Sequence, residues 1–138
     1  MSGDDVAPMP RWTDDGEAVT QSVTSALRRA GASFALVFGS RARGDAGPGS
    51  DLDVGAWWPT SPPAPWAVEV PDSVDLLVLN AAPLELAGRV ACEGVVLFDD
   101  DPPARVLWVA STRKIWLDER PRFAQAHRTF LEVAAHGR

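Results

Sequence analysis

Three aspartates and a glycine–serine pair are the residues of this sequence whose types and spacing could do chemistry. Gly39-Ser40 closes the apolar run Phe34-Ala35-Leu36-Val37-Phe38, ten residues intervene, and Asp51-Leu52-Asp53 opens a stretch that alternates polar with apolar. On an extended strand the side chains at i and i+2 share one face, about 6.6 Å apart along the chain. Two carboxylates so placed can share hard divalent cations, and Mg²⁺ takes oxygen ligands at about 2.0–2.1 Å. Asp75 heads the next confident strand, Val74 to Leu79. If that strand lies beside the first, its carboxylate falls on the same face, about 5 Å away across the ladder. Three clustered carboxylates repel one another unless a cation compensates them, so metal is their natural partner. Two such ions could clamp the attacking and leaving oxygens of an in-line phosphoryl or nucleotidyl displacement. The bland alternatives are a turn followed by solvated aspartates and, for Asp75, a strand-end cap.

Gly39 and Ser40 supply the other half of the constellation. A glycine lets a phosphate approach the backbone closely, and N–H groups at a following helix start favour anions. The Ser40 hydroxyl can donate to a phosphate oxygen. Arg41 and Arg43 flank this spot and could contact the β- and γ-phosphates, or stand solvated in a loop.

The elements that must position these residues read as follows. Residues 1–13 are expected to be a flexible tail and 14–138 one domain, with C-terminal helices from about 103. Asp14 and Glu17 form a capping-box pattern; Val19, Val23, Ala26, Leu27 and Ala30 then follow at helical spacing up to Gly31, which predicts a helix over about 15–30. Strands are predicted at 34–38, from Asp51, at 74–79 and at 95–98, with 66–70 a possible short edge strand after the proline-rich loop 59–65. Pro83 is expected to open a helix that Gly94 stops. Val106, Val109, Ala110, Arg113, Trp116 and Leu117 mark a long amphipathic helix, which Pro121 should break or kink. Trp108 and Trp116 fall on one face of it, as a core stripe or a partner-binding surface. Asp99-Asp100-Asp101 reads as a solvated turn, and His127 and His136 as surface residues. The order α-β-β-β-α-β-α predicts an α/β or α+β chain with a small mixed sheet of about four to five strands flanked by helices.

Composition bounds the function. At 138 residues one core fits and two do not. A net charge of −6 disfavours stable non-specific nucleic-acid binding. No stretch approaches 18 apolar residues, so no membrane span is expected. The opening residues do not read as a secretory signal, and the single Cys92 reads as a packed small residue in a reducing cytoplasm.

The segment GSRARGDAGPGSDLDV resembles the signature of the DNA polymerase β-type nucleotidyltransferase superfamily in its minimal form, and VDLLVLNAAPLELAGRVACEGVVLFDDD is similar to the MntA antitoxin family. The resemblance spans roughly 34–135 and implies the polymerase-β-like palm. It implies Ser40 as a phosphate contact, Asp51 and Asp53 as metal ligands, and Asp75 as third ligand or base for the acceptor hydroxyl. The implied cofactors are two Mg²⁺ ions, with Mn²⁺ as a substitute, and the implied substrate is ATP. The implied partner is a cognate HEPN-type toxin, silenced by AMP added to one of its tyrosines. Two rivals stay open: a non-catalytic module that neutralises its partner by occlusion, and a small-molecule enzyme of the aminoglycoside-modifying kind. Gly55, where an aliphatic residue would suit a strand better, and the Trp57-Trp58 pair depart from the signature.

Overall fold

The computed structural model describes residues 17–39, 42 and 51–136. Helix α1 (Glu17–Arg29) carries Glu17 in its first turn and Arg28 and Arg29 in its last, each complementing the helix dipole. It ends in a Schellman arrangement. Gly31 adopts φ +97°, its N–H donates to Arg28 O, and the Ala32 N–H donates to Leu27 O at 3.0 Å. Four strands follow: β1 (Phe34–Phe38), β2 (Leu52–Trp57), β3 (Val74–Val78) and β4 (Val95–Asp99). Helix α2 (Leu84–Glu93) lies between β3 and β4, and helix α3 (Pro102–His136) follows β4.

The sheet order is β3-β2-β1-β4. β1 runs antiparallel to β2 and β4, and β2 runs parallel to β3. Alternation along the strands sorts their side chains onto two faces. On one face Ala35, Val37, Leu52, Val54, Ala56, Val74 and Val78 pack with Val23, Ala26 and Leu27 of α1. On the other, Phe34, Leu36 and Leu79 pack with Val90 of α2 and with Trp108 and Val109 of α3. Central strand β1 is covered on both sides, which is why its sequence is a continuous apolar run rather than an alternating one.

Both departures from the signature have a packing reason. Trp57 stacks on Phe34, with ring centroids 5.4 Å apart and planes 13° from parallel. Trp58 turns to the α1 side and is 2% exposed. Its Nε1 donates to Ala30 O at 3.0 Å, and Asn80 grips its backbone through two hydrogen bonds of 2.9 and 2.7 Å. Gly55 leaves the room that the Leu79 side chain fills; a Cβ there would come within 3.0 Å of Leu79 Cδ2.

Several expectations need correcting. Residues 66–70 form no strand: a 3₁₀ turn, Pro65–Ala67, occupies the start of this stretch and Trp66 is 88% exposed. Pro65 opens that turn, where its missing N–H goes unneeded. Helix α2, by contrast, is bounded as expected, with Pro83 as its N-cap and Gly94 as its C-cap at φ −68°. Glycine is needed there because a Cβ would crowd Val90 O and the Leu36 Cβ. Pro121 does not break α3. It lacks one N–H and crowds the Leu117 carbonyl, but both residues face solvent, where water can take that carbonyl. Trp116 is core rather than interface: it lies against Gly88 of α2, which has no side chain to obstruct it. Trp108 meets Phe34 at 6.2 Å. Cys92 is exposed, not packed.

The aspartate triple is a structural joint. Asp99 pairs with Arg105, and Asp100 takes both prongs of the Arg28 fork at 2.8 Å. Asp101 caps α3 by accepting from the Ala104 N–H at 3.2 Å. The Arg28 guanidinium also lies 4.9 Å above the Phe98 ring.

Candidate active site

The parallel pairing of β2 with β3 sets Asp53 directly beside Asp75, with Leu52 beside Val74 and Val54 beside Leu76. Register partners on neighbouring strands share a face, so the two carboxylates stand on the same side of the sheet. The register is enforced by burial: Leu52, Val54 and Val74 point into the α1 core, and a slip of one residue would drive Asp53 there instead. The Leu52 N–H donates to Ser73 O at 2.8 Å, and the Val74 N–H donates to Pro71 O at 3.0 Å. These bonds tie the start of β2 to the turn that leads into β3. Asp51 immediately precedes β2, two residues ahead of Asp53. Asp51 and Asp75 are exposed and Asp53 is half-buried.

On its other side Asp53 faces the end of β1, where Phe38 is its register partner. The next residue, Gly39, has φ +79°, a backbone state open chiefly to glycine. The Asp53 carboxylate leans into the space beside it. The three atoms nearest to a Cβ built on Gly39 are Oδ2, Cγ and Cβ of Asp53. Gly39 and the three aspartates therefore lie at the same end of β1–β3, while Ser40, Arg41 and Arg43 lie outside the described residues.

The donor set is all carboxylate oxygen, which suits a hard divalent cation such as Mg²⁺. Among the described residues, no three His, Cys, Asp or Glu side chains converge to a ready-made cage. Like charges repel until a cation compensates them, and the register sets Asp53 and Asp75 side by side on neighbouring strands. Sequence reading missed the braces at the opposite end of β2 from this pair, Leu79 and Asn80. Both follow β3 directly and brace the sheet, Leu79 over Gly55 and Asn80 on Trp58. The asparagine after an apolar strand was the available signal.

Residues 23–85 match the family model described as a nucleotidyltransferase domain. No curated protein is matched by sequence. Among solved structures, a chain of a toxin–antitoxin structure with AMP-PNP is similar, with 20% identity and a TM-score of 0.65, covering 80% of this chain and 98% of its own length. A chain of an MntA–HepT toxin–antitoxin structure is 17% identical with a TM-score of 0.62, covering 83% of this chain and 98% of that one. The same values hold for a structure of a tri-AMPylated Shewanella oneidensis HEPN toxin with its MNT antitoxin. None of the helices among the described residues is long and apolar enough to cross a membrane. The matched stretch contains every residue of the candidate site, from Gly39 to Asp75. Residues 23–85 are thus similar to the nucleotidyltransferase domain family, and the chain shares the fold of these toxin–antitoxin chains.

Proposed function

We propose that this chain is a metal-dependent adenylyltransferase that moves AMP from ATP to a protein hydroxyl, a tyrosine of a cognate HEPN-type toxin, and so acts as an antitoxin in the cytoplasm. The observation that carries this reading is the pairing of Asp53 with Asp75 in register on parallel strands, with Asp51 two residues ahead. Asp51 and Asp53 would hold Mg²⁺, with Asp75 as a third ligand or as the base. The ions, when bound, neutralise the triphosphate and polarise the α-phosphate. Asp75 lies on edge strand β3 and is exposed, so it stands where an acceptor hydroxyl can reach it and hand over its proton. The acceptor oxygen then bonds to the α-phosphorus, the bond to the β-phosphate oxygen breaks, and pyrophosphate leaves. Ser40, Arg41 and Arg43 are assigned to the phosphates, as donors to the leaving group. Support for a protein acceptor comes from the similar structures, which are toxin–antitoxin complexes, one with an AMPylated toxin.

The chain contains no tyrosine, so a tyrosine acceptor must belong to a different molecule. The test is incubation of this protein and the product of the adjacent reading frame with Mg²⁺ and ATP labelled at the α-phosphate. Label is expected on the neighbour alone, dependent on Asp51, Asp53 and Asp75, and lost when its target tyrosine becomes phenylalanine. Label on an added aminoglycoside instead overturns the protein acceptor. Neutralisation of the neighbour without any label overturns catalysis in favour of occlusion.

A further inference from the structure

We propose that Gly39 is the positioning residue for Asp53: the side chain missing at the end of β1 is the space that the Asp53 carboxylate occupies. In the sequence Gly39 reads as a gap through which phosphate approaches the backbone. In the fold, that gap faces a protein group. All three of the nearest atoms to a Cβ at Gly39 belong to Asp53, and the carboxylate oxygen Oδ2 would lie closer than any real Cβ contact allows. The backbone of Asp53 cannot retreat, because Leu52 and Val54 on either side of it are fixed in the α1 core. Its cross-strand partners Phe38 and Asp75 hold it laterally. A methyl group at position 39 therefore presses on the carboxylate end of Asp53, the part of that residue free to yield, and turns it away from β1. The positive φ of Gly39 serves the same end, since it turns the chain out of the strand just where the carboxylate needs room. The assignment of that carboxylate to a metal rests on the function proposed above; the steric coupling between residues 39 and 53 does not.

Two substitutions separate space from backbone conformation. Gly39→Asn adds a Cβ but tolerates positive φ better than other residues do, whereas Gly39→Ala adds a Cβ and resists that conformation. Mn²⁺ binding by the full chain, read from the electron paramagnetic resonance signal of the free ion, should weaken by about 10–100-fold in both variants, as it does when a ligand's supporting neighbour is altered. Parent-like Mn²⁺ affinity in a folded Gly39→Asn protein overturns the proposal. Thermal melting supplies a readout independent of metal. Gly39→Ala should lower Tm in the parent and lower it less in an Asp53→Ala background, where no carboxylate remains to collide. Should Gly39→Ala alone not fold, recovery of a cooperative melt in Gly39→Ala/Asp53→Ala supports the coupling. Equal losses in both backgrounds, or no recovery, overturn it. A parent that binds no Mn²⁺ overturns the metal reading instead, and the melting cycle then decides by itself whether Gly39 positions Asp53.

Discussion

One face of the sheet carries both Phe34 and Asp53, and its two ends are built on opposite terms. At one end Phe34, Leu36, Trp57 and Leu79 are covered by Val90, Trp108 and Val109 from the two later helices. At the other, roughly 13 Å along β2 at a strand rise of about 3.3 Å per residue, Asp53 and Asp75 stand side by side with Asp51 next to them. The covered end gains free energy from every apolar atom removed from water. The acidic end gains nothing comparable, because its carboxylates repel one another in the absence of a cation. The same strands thus serve as anchor at one end and as candidate site at the other, and the anchor holds the carboxylates in register.

That division predicts opposite outcomes for substitutions at the two ends. Asp53→Asn should reduce AMP transfer by about 10²–10³-fold or more, the loss typical of removing one group that stabilises the transition state. Its Tm should hold or rise. Phe34→Ala should cost about 3–5 kcal/mol of stability, and the fraction that remains folded should bind metal like the parent. Steady-state transfer rates and denaturant melts on both variants check the pair. Loss of stability in Asp53→Asn comparable to that in Phe34→Ala would erase the distinction.

Gly55 sits between the two ends and sharpens the boundary. Gly55→Val restores the aliphatic residue a strand would ordinarily carry, but its side chain must displace Leu79. Overpacking of this kind costs about 1–3 kcal/mol. Leu79 follows the far end of β3 from Asp75, so transfer by the folded fraction should stay close to that of the parent. A Gly55→Val protein as stable as its parent would mean that Leu79 can repack freely.

How much of this was legible in the sequence follows from how local each signal is. The bounds of β1 at Phe34–Phe38 are those the apolar run predicts, and Gly31 ends α1 as read, since both depend on neighbouring residues alone. The Asp53–Asp75 juxtaposition was conditional on β2 and β3 pairing, and the parallel register supplied that condition. What escaped reading depends on distant partners. Asn80 and Trp58 are 22 residues apart and Arg28 and Asp100 are 72 apart, so neither member of a pair announces the other. Helix α3 runs on through Pro121 for a related reason: a proline tolerated on the solvent side of a helix looks, in sequence, like one that ends it.

The smallest expected effect lies far from either end, at the joint between α1 and the turn before α3. The Arg28 guanidinium, hydrogen-bonded through two nitrogens to Asp100, holds that carboxyl below the usual carboxylate range. A carboxyl whose pKa is lower folded than unfolded stabilises the fold fully above its unfolded value, about 3.9 for Asp, and loses that contribution as pH falls through the lower folded value. Both side chains are about half exposed, so solvent and salt screen the pair and the gain is small. Asp100→Asn should therefore lower Tm slightly at pH 7, and the parent and variant curves should converge as pH drops below about 4. High salt should narrow the gap at neutral pH without moving the acid limit. Melting the two proteins from pH 2.5 to 7 at low and high ionic strength measures all three features. A gap that persists unchanged at the acid end would mean that Asp100 acts through its shape and hydrogen bonding rather than through its charge.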